Sequence, residues 1–299
     1  MKLAVRHVTR YGFDTPVRRL VQSLRLWPSQ FEGQTVLDWT VDTGSAIDGA
    51  GFRDGAGDWT QTASLRGPVE VQEITVTGTV ETSDLAGVLR GHRERVPPSA
   101  YLTATRSTAG TAELRALAAD ALEGMDGATV LDRAHALCRA VNEAIEFVPN
   151  ETEPHTTAAE ALAGGQGVCQ DHTHVLIALA HAVDIPARYV TGYLMSTEDS
   201  VGAEASHAWA ELWVDGLGWV GFDAANACCP NDAYIRLGSG FDAGDAAPIR
   251  GVVDGAATET LDVSVGVVDG ARQSQSQSGG GQEQSQSSDG ASQSQRQQQ

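Results

Sequence analysis

Cysteine is scarce in this sequence. There are four in 299 residues, at Cys138, Cys169, Cys228 and Cys229, and none form a CxxC pair. A disulfide framework and a zinc ribbon both need paired cysteines at regular spacing, so neither is expected. Basic charge is scarce as well: 20 Lys and Arg stand against 39 Asp and Glu, a formal net charge of −19. Such a chain repels nucleic-acid phosphates and anionic membrane surfaces. Its densest basic groups, Arg18 and Arg19 with Arg25 and Arg90 with Arg93 and Arg95, are too small to override that field. Long apolar runs are missing, since charges or glycines interrupt every one well short of the roughly 18–20 residues a membrane-spanning helix requires. The opening Met1 to His7 has neither the apolar core nor the small-residue cleavage site of a secretory signal, and a cytoplasmic location is expected.

What is present suffices for a core, with 41% hydrophobic residues over a length that suits one large or two medium domains. From Met1 to about Ala100, short alternating runs such as Thr35–Val41 and Val69–Val76 are separated by Gly, Pro and Asp clusters. Period-two alternation between turn residues predicts antiparallel strands, and an N-terminal β-sandwich-like domain over 1–100. Asp42 to Asp58, with five glycines and four acids, reads as a loop or wide hairpin connection. Pro97-Pro98 marks the break after this region.

Helical spacing follows, over Thr111–Leu122, Thr129–Phe147, Thr157–Ala163 and Cys169–Val183. Cys138 falls on the apolar stripe of the second of these and reads as a small buried hydrophobe. Aromatic and β-branched runs then predict strands at Ala187–Tyr193, His207–Val214, Gly218–Asp223 and Thr260–Val267, with Ala224 to Asp245 read as a loop. Helices followed by strands indicate an α+β domain over 101–270. From 271 to 299 only Gln, Ser, Gly, Glu, Asp, Arg and Ala occur, which predicts a disordered tail.

Three residues stand in settings that chemistry would use. Cys169 follows a glycine-rich turn and opens a helix, where unpaired N–H groups and the positive dipole end favour a thiolate. His207 begins a strand and can serve as general base to that thiol and later as general acid to a leaving amine. Asp223 ends the next strand, where a carboxylate can hold the far ring nitrogen of the imidazole and fix its tautomer. Together they form a Cys-His-Asp arrangement for acyl transfer.

The flanking residues carry a resemblance. Gly167–His174, Ile185–Tyr193, Ser206–Glu211 and Gly218–Asp223 closely resemble, in order, the bacterial transglutaminase-like superfamily, and the likeness extends to His7–Tyr11, Leu24–Pro28 and Asn231–Arg236. It covers almost everything except the tail. It implies a papain-like α+β core behind an N-terminal β-domain, with Cys169 as nucleophile, His207 as base and Asp223 as orienter. It also implies no cofactor and a peptide or protein substrate attacked at an amide carbonyl, by a cysteine peptidase or an acyltransferase. One departure is Asp223-Ala224-Ala225-Asn226, where the pattern has Asp-Pro-Thr-Asn. The carboxylate remains, but the rigidity of the turn comes into question.

Other residues invite weaker readings. His172 and His174 suggest a metal site with Cys169, but the three cannot share one helix face and no fourth ligand presents itself. Asp171 fits as a first-turn acid and His174 as a core residue, and the family pattern has Asp and His at these places. Gln166, Gln170 and the Cys169 backbone N–H are alternative donors to a developing oxyanion. Trp209, Trp213 and Trp219 wall the cleft or fill the core, and the vicinal Cys228-Cys229 lies in the loop after Asp223. The competing function is a non-catalytic binding or assembly protein that keeps the fold.

Overall fold

Period-two alternation builds the N-terminal region. In the computed structural model, which describes residues 1–149, 151–195 and 206–270, strand β1 (Lys2–Leu24) buries every second side chain from Leu3 to Phe13. Strands β2 (Gln34–Asp42), β3 (Ile47–Arg53) and β4 (Trp59–Thr82) follow. β1 and β4 pair antiparallel along most of their length, with the register broken between Gly12 and Val17. On one side of the break β2 flanks β4, and on the other β3 does. Tyr11, Phe13 and Ile74 from one half share an apolar cluster with Leu20, Leu24 and Leu65 from the other. The sandwich-like layers are therefore two halves of one continuous sheet folded over a common core. The 42–58 stretch is a hairpin connection with β3 formed inside it, and because every β3 residue is exposed, no burial alternation marks that strand in the sequence.

The helical layer consists of α1 (Ala112–Ala121), α2 (Val130–Ala144), α3 (Ala158–Gly164) and α4 (Cys169–Ala182). Thr111, Thr129 and Thr157 cap the first three, each hydroxyl accepting the N–H three residues on, worth about 1 kcal/mol per cap. α4 starts differently, because Val168 has no capping hydroxyl and the Asp171 carboxylate accepts the Val168 N–H at 2.8 Å instead. Residues 171 to 180 of α4 are all buried. Val175, Leu176, Ile177 and Leu179 anchor it in the main core, each contributing roughly 1.5–3 kcal/mol through burial. A short parallel pair, β5 (Glu146–Phe147) and β6 (Gln166–Gly167), lies just ahead of the helix start.

α4 packs against an antiparallel sheet of β7 (Ala187–Leu194), β8 (Ser206–Val214), β9 (Gly218–Phe222) and β10 (Tyr234–Gly240), in the order β10-β7-β8-β9. β10 corrects the reading of Ala224 to Asp245 as a loop. Its two glycines and serine give weak strand propensity, but pairing with β7 supplies acceptors and donors for its backbone. The expected division at 101–270 is also corrected. β11 (Ile249–Asp254) and β12 (Glu259–Asp269) both pair with β1 and complete the N-terminal sheet. The long edge of β1 would otherwise leave a row of unpaired N–H and C=O groups. The Gln- and Ser-rich tail, expected to be disordered, lies outside the described residues. Among the described residues, no helix is long and apolar enough to cross a membrane.

A buried charge network joins the two sheets. Arg236 on β10 meets Asp58 of the N-terminal region at 2.6 Å and Glu211 on β8 at 2.8 Å, and Arg188 on β7 meets Glu211 at 2.7 Å and Glu94. Asp58 also accepts the N–H and hydroxyl of Ser239 at 2.7 and 2.9 Å. Although burial opposes charge on Glu211, Arg236 and Arg188 hold its carboxyl down at about 2. The side-chain amide of Gln34 takes the place of a strand neighbour for β10: its oxygen accepts the Arg236 N–H at 2.8 Å and its nitrogen donates to the Arg236 carbonyl at 2.9 Å.

Candidate active site

Cys169 is the first residue of α4, where first-turn N–H groups have no intrahelical acceptor. It is partly exposed and packs against the main core. A glycine is required just before it. A Cβ at Gly167 would stand 2.7 Å from the Asp171 Cβ and 2.9 Å from its carboxylate, and that carboxylate is what caps the helix.

His207 is the second residue of β8, and Asp223 lies just past the end of β9. The antiparallel register, with Ala210 opposite Phe222, brings both to the same end of the sheet. His207 Nε2 lies 2.6 Å from Asp223 Oδ2. The Cys169 thiol is a further hydrogen-bond partner of the ring. Burial alone would strip the imidazole of its proton. The hydrogen bonds to Asp223 and Cys169, with their charges, outweigh burial and raise His207 to about 10. The structure thus brings together the three residues singled out from the sequence.

Asp223 is fully buried and held by more than His207. Tyr234 donates its hydroxyl to Oδ2 at 2.8 Å, Asn226 Nδ2 donates to the same oxygen at 2.7 Å, and the Asn226 N–H donates to Oδ1 at 3.2 Å. Burial opposes the carboxylate charge, but these donors and the imidazolium keep Asp223 below its ordinary value. The turn after Asp223 is fixed without the Pro and Thr of the family pattern. Asp223 and Cys228 exchange backbone hydrogen bonds at 2.8 and 3.1 Å, and Asn142 of α2 donates to the carbonyls of Ala224 and Ala225 at 2.9 and 3.3 Å.

Trp209 lies beside the imidazole, with ring centroids 6.4 Å apart, and meets Tyr234 edge-on at 5.5 Å. Gly192 on β7 makes room for this indole, since a Cβ there would come within 2.6 Å of the ring. Trp219 is committed elsewhere, donating to Glu94 at 2.5 Å beneath the Arg188 guanidinium. Trp213 stacks edge-on against it at 5.4 Å.

The remaining candidates divide clearly. Gln170 donates to the Pro154 carbonyl at 3.1 Å, so of the three oxyanion donors the Cys169 N–H and Gln166 stay free of that tether. His172 has both ring nitrogens on backbone carbonyls, Val168 at 2.9 Å and Ile145 at 3.0 Å. Burial pushes His174 down to about 4, and its Nε2 accepts the Ala243 N–H at 3.1 Å. No cluster able to hold a metal exists among the described residues. Cys138 is buried as expected, and all four cysteines are free thiols. Sequence reasoning assigned no role to Asn226 or Tyr234. The available signal was an Asn three residues beyond the carboxylate, the spacing of a side chain that closes a turn onto its own backbone.

Residues 3–81 match the family model of the bacterial transglutaminase-like N-terminal region, and residues 115–224 match that of the transglutaminase-like superfamily core. The chain belongs to the transglutaminase-like superfamily. An uncharacterized protein of Mycobacterium leprae is 27% identical over 282 residues, covering 88% of this chain and 97% of that relative. Uncharacterized proteins of Mycobacterium bovis and Mycobacterium tuberculosis are 35% identical over 123 residues, which is 38% of this chain and 39% of each relative. The crystal structure of a candidate cysteine protease from Cytophaga hutchinsonii superimposes with a TM-score of 0.67 at 22% identity, covering 90% of this chain and 91% of that one. That likeness is one of fold, and it extends over both the N-terminal sheet and the superfamily core.

Proposed function

We propose that this superfamily member is a cysteine-dependent acyl-transfer enzyme acting on amide bonds of peptides or proteins, as a peptidase, amidase or transglutaminase. The observation that carries the reading is one imidazole held between the Cys169 thiol and the Asp223 carboxylate, at 2.6 Å from the latter. In this reaction the Cys169 sulfur attacks the amide carbonyl carbon and a C–S bond forms. Charge develops on the carbonyl oxygen, for which the first-turn N–H of Cys169 is the nearest fixed donor by sequence. The C–N bond then breaks as His207 passes its proton to the departing amine, leaving a thioester. Water or a second amine attacks that thioester, His207 takes the proton of the attacking group, and the C–S bond breaks. Asp223 holds the imidazole and balances its charge throughout.

The full chain is to be incubated with p-nitrophenyl acetate and examined for an acetyl group on Cys169 by peptide mass spectrometry. Dye-labelled casein and dimethylcasein with dansylcadaverine then report cleavage and amine incorporation. The expected result is a Cys169 adduct and at least one turnover activity, both lost in Cys169→Ala. Turnover that survives Cys169→Ala, or no adduct on the wild-type thiol, overturns the reading.

A further inference from the structure

Three hydrogen-bond donors converge on a single oxygen of Asp223. His207 Nε2 lies at 2.6 Å, Asn226 Nδ2 at 2.7 Å and the Tyr234 hydroxyl at 2.8 Å from Oδ2. The Tyr234 ring is braced on two sides, edge-on to Trp209 at 5.5 Å and 5.9 Å from the His207 ring. Its strand is braced as well. Two residues along β10, Arg236 is locked to Asp58 and Glu211 and capped by Gln34. The phenol is thus delivered to Asp223 by a strand that the N-terminal sheet holds in place.

We propose that Tyr234 is a positioning residue that tempers the hold of Asp223 on the His207 proton, and that the N-terminal sheet fixes it there through Arg236. The proposal rests on the acyl-transfer reading for its purpose, but its physical content is independent of any substrate. A phenol donates more strongly to a carboxylate whose partner imidazole is neutral than to one already neutralised by an imidazolium. It therefore favours the neutral-imidazole state and makes His207 a better proton donor to a leaving amine. Asn226 acts in the same sense. The titratable groups facing the pair are Cys169 from α4, Cys138 from α2, Cys228 beside the Tyr234 hydroxyl at 3.4 Å, and Tyr234 itself. Tyr234 keeps its proton under all ordinary conditions, since burial and the Asp223 charge raise it far above the usual phenol value.

The test is an NMR titration of the His207 imidazole in the full chain, assigned with His207→Gln, for wild type and Tyr234→Phe. The wild-type midpoint is expected near 10. Tyr234→Phe is expected to move it upward by about half a pH unit, because the unshared carboxylate binds the imidazolium proton more tightly. A merely structural role predicts the reverse, since a loosened Asp223 lowers the midpoint. An unmoved or lowered midpoint in a folded Tyr234→Phe protein overturns the proposal. Should that variant fail to fold, 3-fluorotyrosine at position 234 is the substitute. A more acidic phenol donates more strongly, so the midpoint must fall, and one that rises or stays overturns the proposal. Failure of the acyl-transfer reading is recorded separately, by the Cys169 adduct and the Cys169→Ala activities.

Discussion

Two buried ionic clusters lie four residues apart along β8, one around Glu211 and one around His207, and they are finished differently. Around Glu211, both carboxylate oxygens are taken by Arg188 and Arg236, and both Asp58 oxygens are taken by Arg236, Ser29 and Ser239. The Arg188 guanidinium carbon lies over the Trp219 ring, 4.1 Å from its centroid. Among its side-chain polar atoms only Arg188 Nη2 lacks a hydrogen-bond partner, and every carboxylate oxygen of Glu211 and Asp58 is engaged, the condition under which buried charge becomes rigid structure. Around His207 the cluster is left open on one side. Asp223 is saturated, but the imidazole also meets the Cys169 thiol, which is partly exposed. The closed cluster fixes strands β8 and β10, and the open one uses the positions those strands set. The difference between the clusters lies in that open side, where a partly exposed thiol meets the imidazole.

Breaking the closed cluster gives the largest expected effect. Arg236→Met strands Asp58 and part of Glu211 in the interior, and a loss of about 3–5 kcal/mol in urea unfolding is expected. Cys169→Ala at the open cluster is expected to change stability by less than about 0.5 kcal/mol while abolishing acyl transfer. A loss below about 1 kcal/mol for Arg236→Met would remove the distinction between the clusters.

The pH dependence sharpens the comparison, because the clusters titrate with opposite sense. His207 stands at about 10 in the folded chain against an ordinary 6.5. Its contribution to stability is complete below pH 6.5, declines as pH rises, and is gone above about 10. Glu211 stands at about 2 against an ordinary 4.5, so its contribution is complete above pH 4.5 and is lost as pH falls through about 2. Urea unfolding at pH values of about 6, 8 and 10 should show wild type converging on His207→Gln as pH rises. A stability gap that stays constant across that range would contradict the ion pair.

The smallest effect is expected at Asn226. Asn226→Ala removes one side-chain donor from Asp223 and leaves Tyr234 and the backbone N–H in place. A stability loss of about 1–2 kcal/mol is expected in the same urea assay, with an upward shift of the His207 midpoint smaller than that of Tyr234→Phe. A larger shift than for Tyr234→Phe would make Asn226, and not the phenol, the principal partner of the carboxylate.

Much of this is legible in the sequence. The α1 to α4 positions follow from helical spacing, and Cys169 opens α4 where the glycine turn places it. The triad was recoverable because each member sits at the end of an element with its own local signature. The charge network was not, because Asp58, Arg188, Glu211 and Arg236 each look like solvated surface charges until tertiary contacts bury them. β10 was hidden by its glycines. Assigning β12 to the N-terminal sheet could not be done locally either, since its partner β1 lies more than 240 residues away in sequence.

By itself the sequence determined most of the local elements, the superfamily and the three residues, Cys169, His207 and Asp223, that the fold brings together. These depend on periodicity, turn residues and short-range motifs, which a chain carries along its length. Only the tertiary structure decided which sheet the last two strands complete, which charges are buried, and how many donors share the Asp223 carboxylate. Those outcomes depend on pairings between residues far apart in sequence, where each partner satisfies a group that its own neighbours cannot reach.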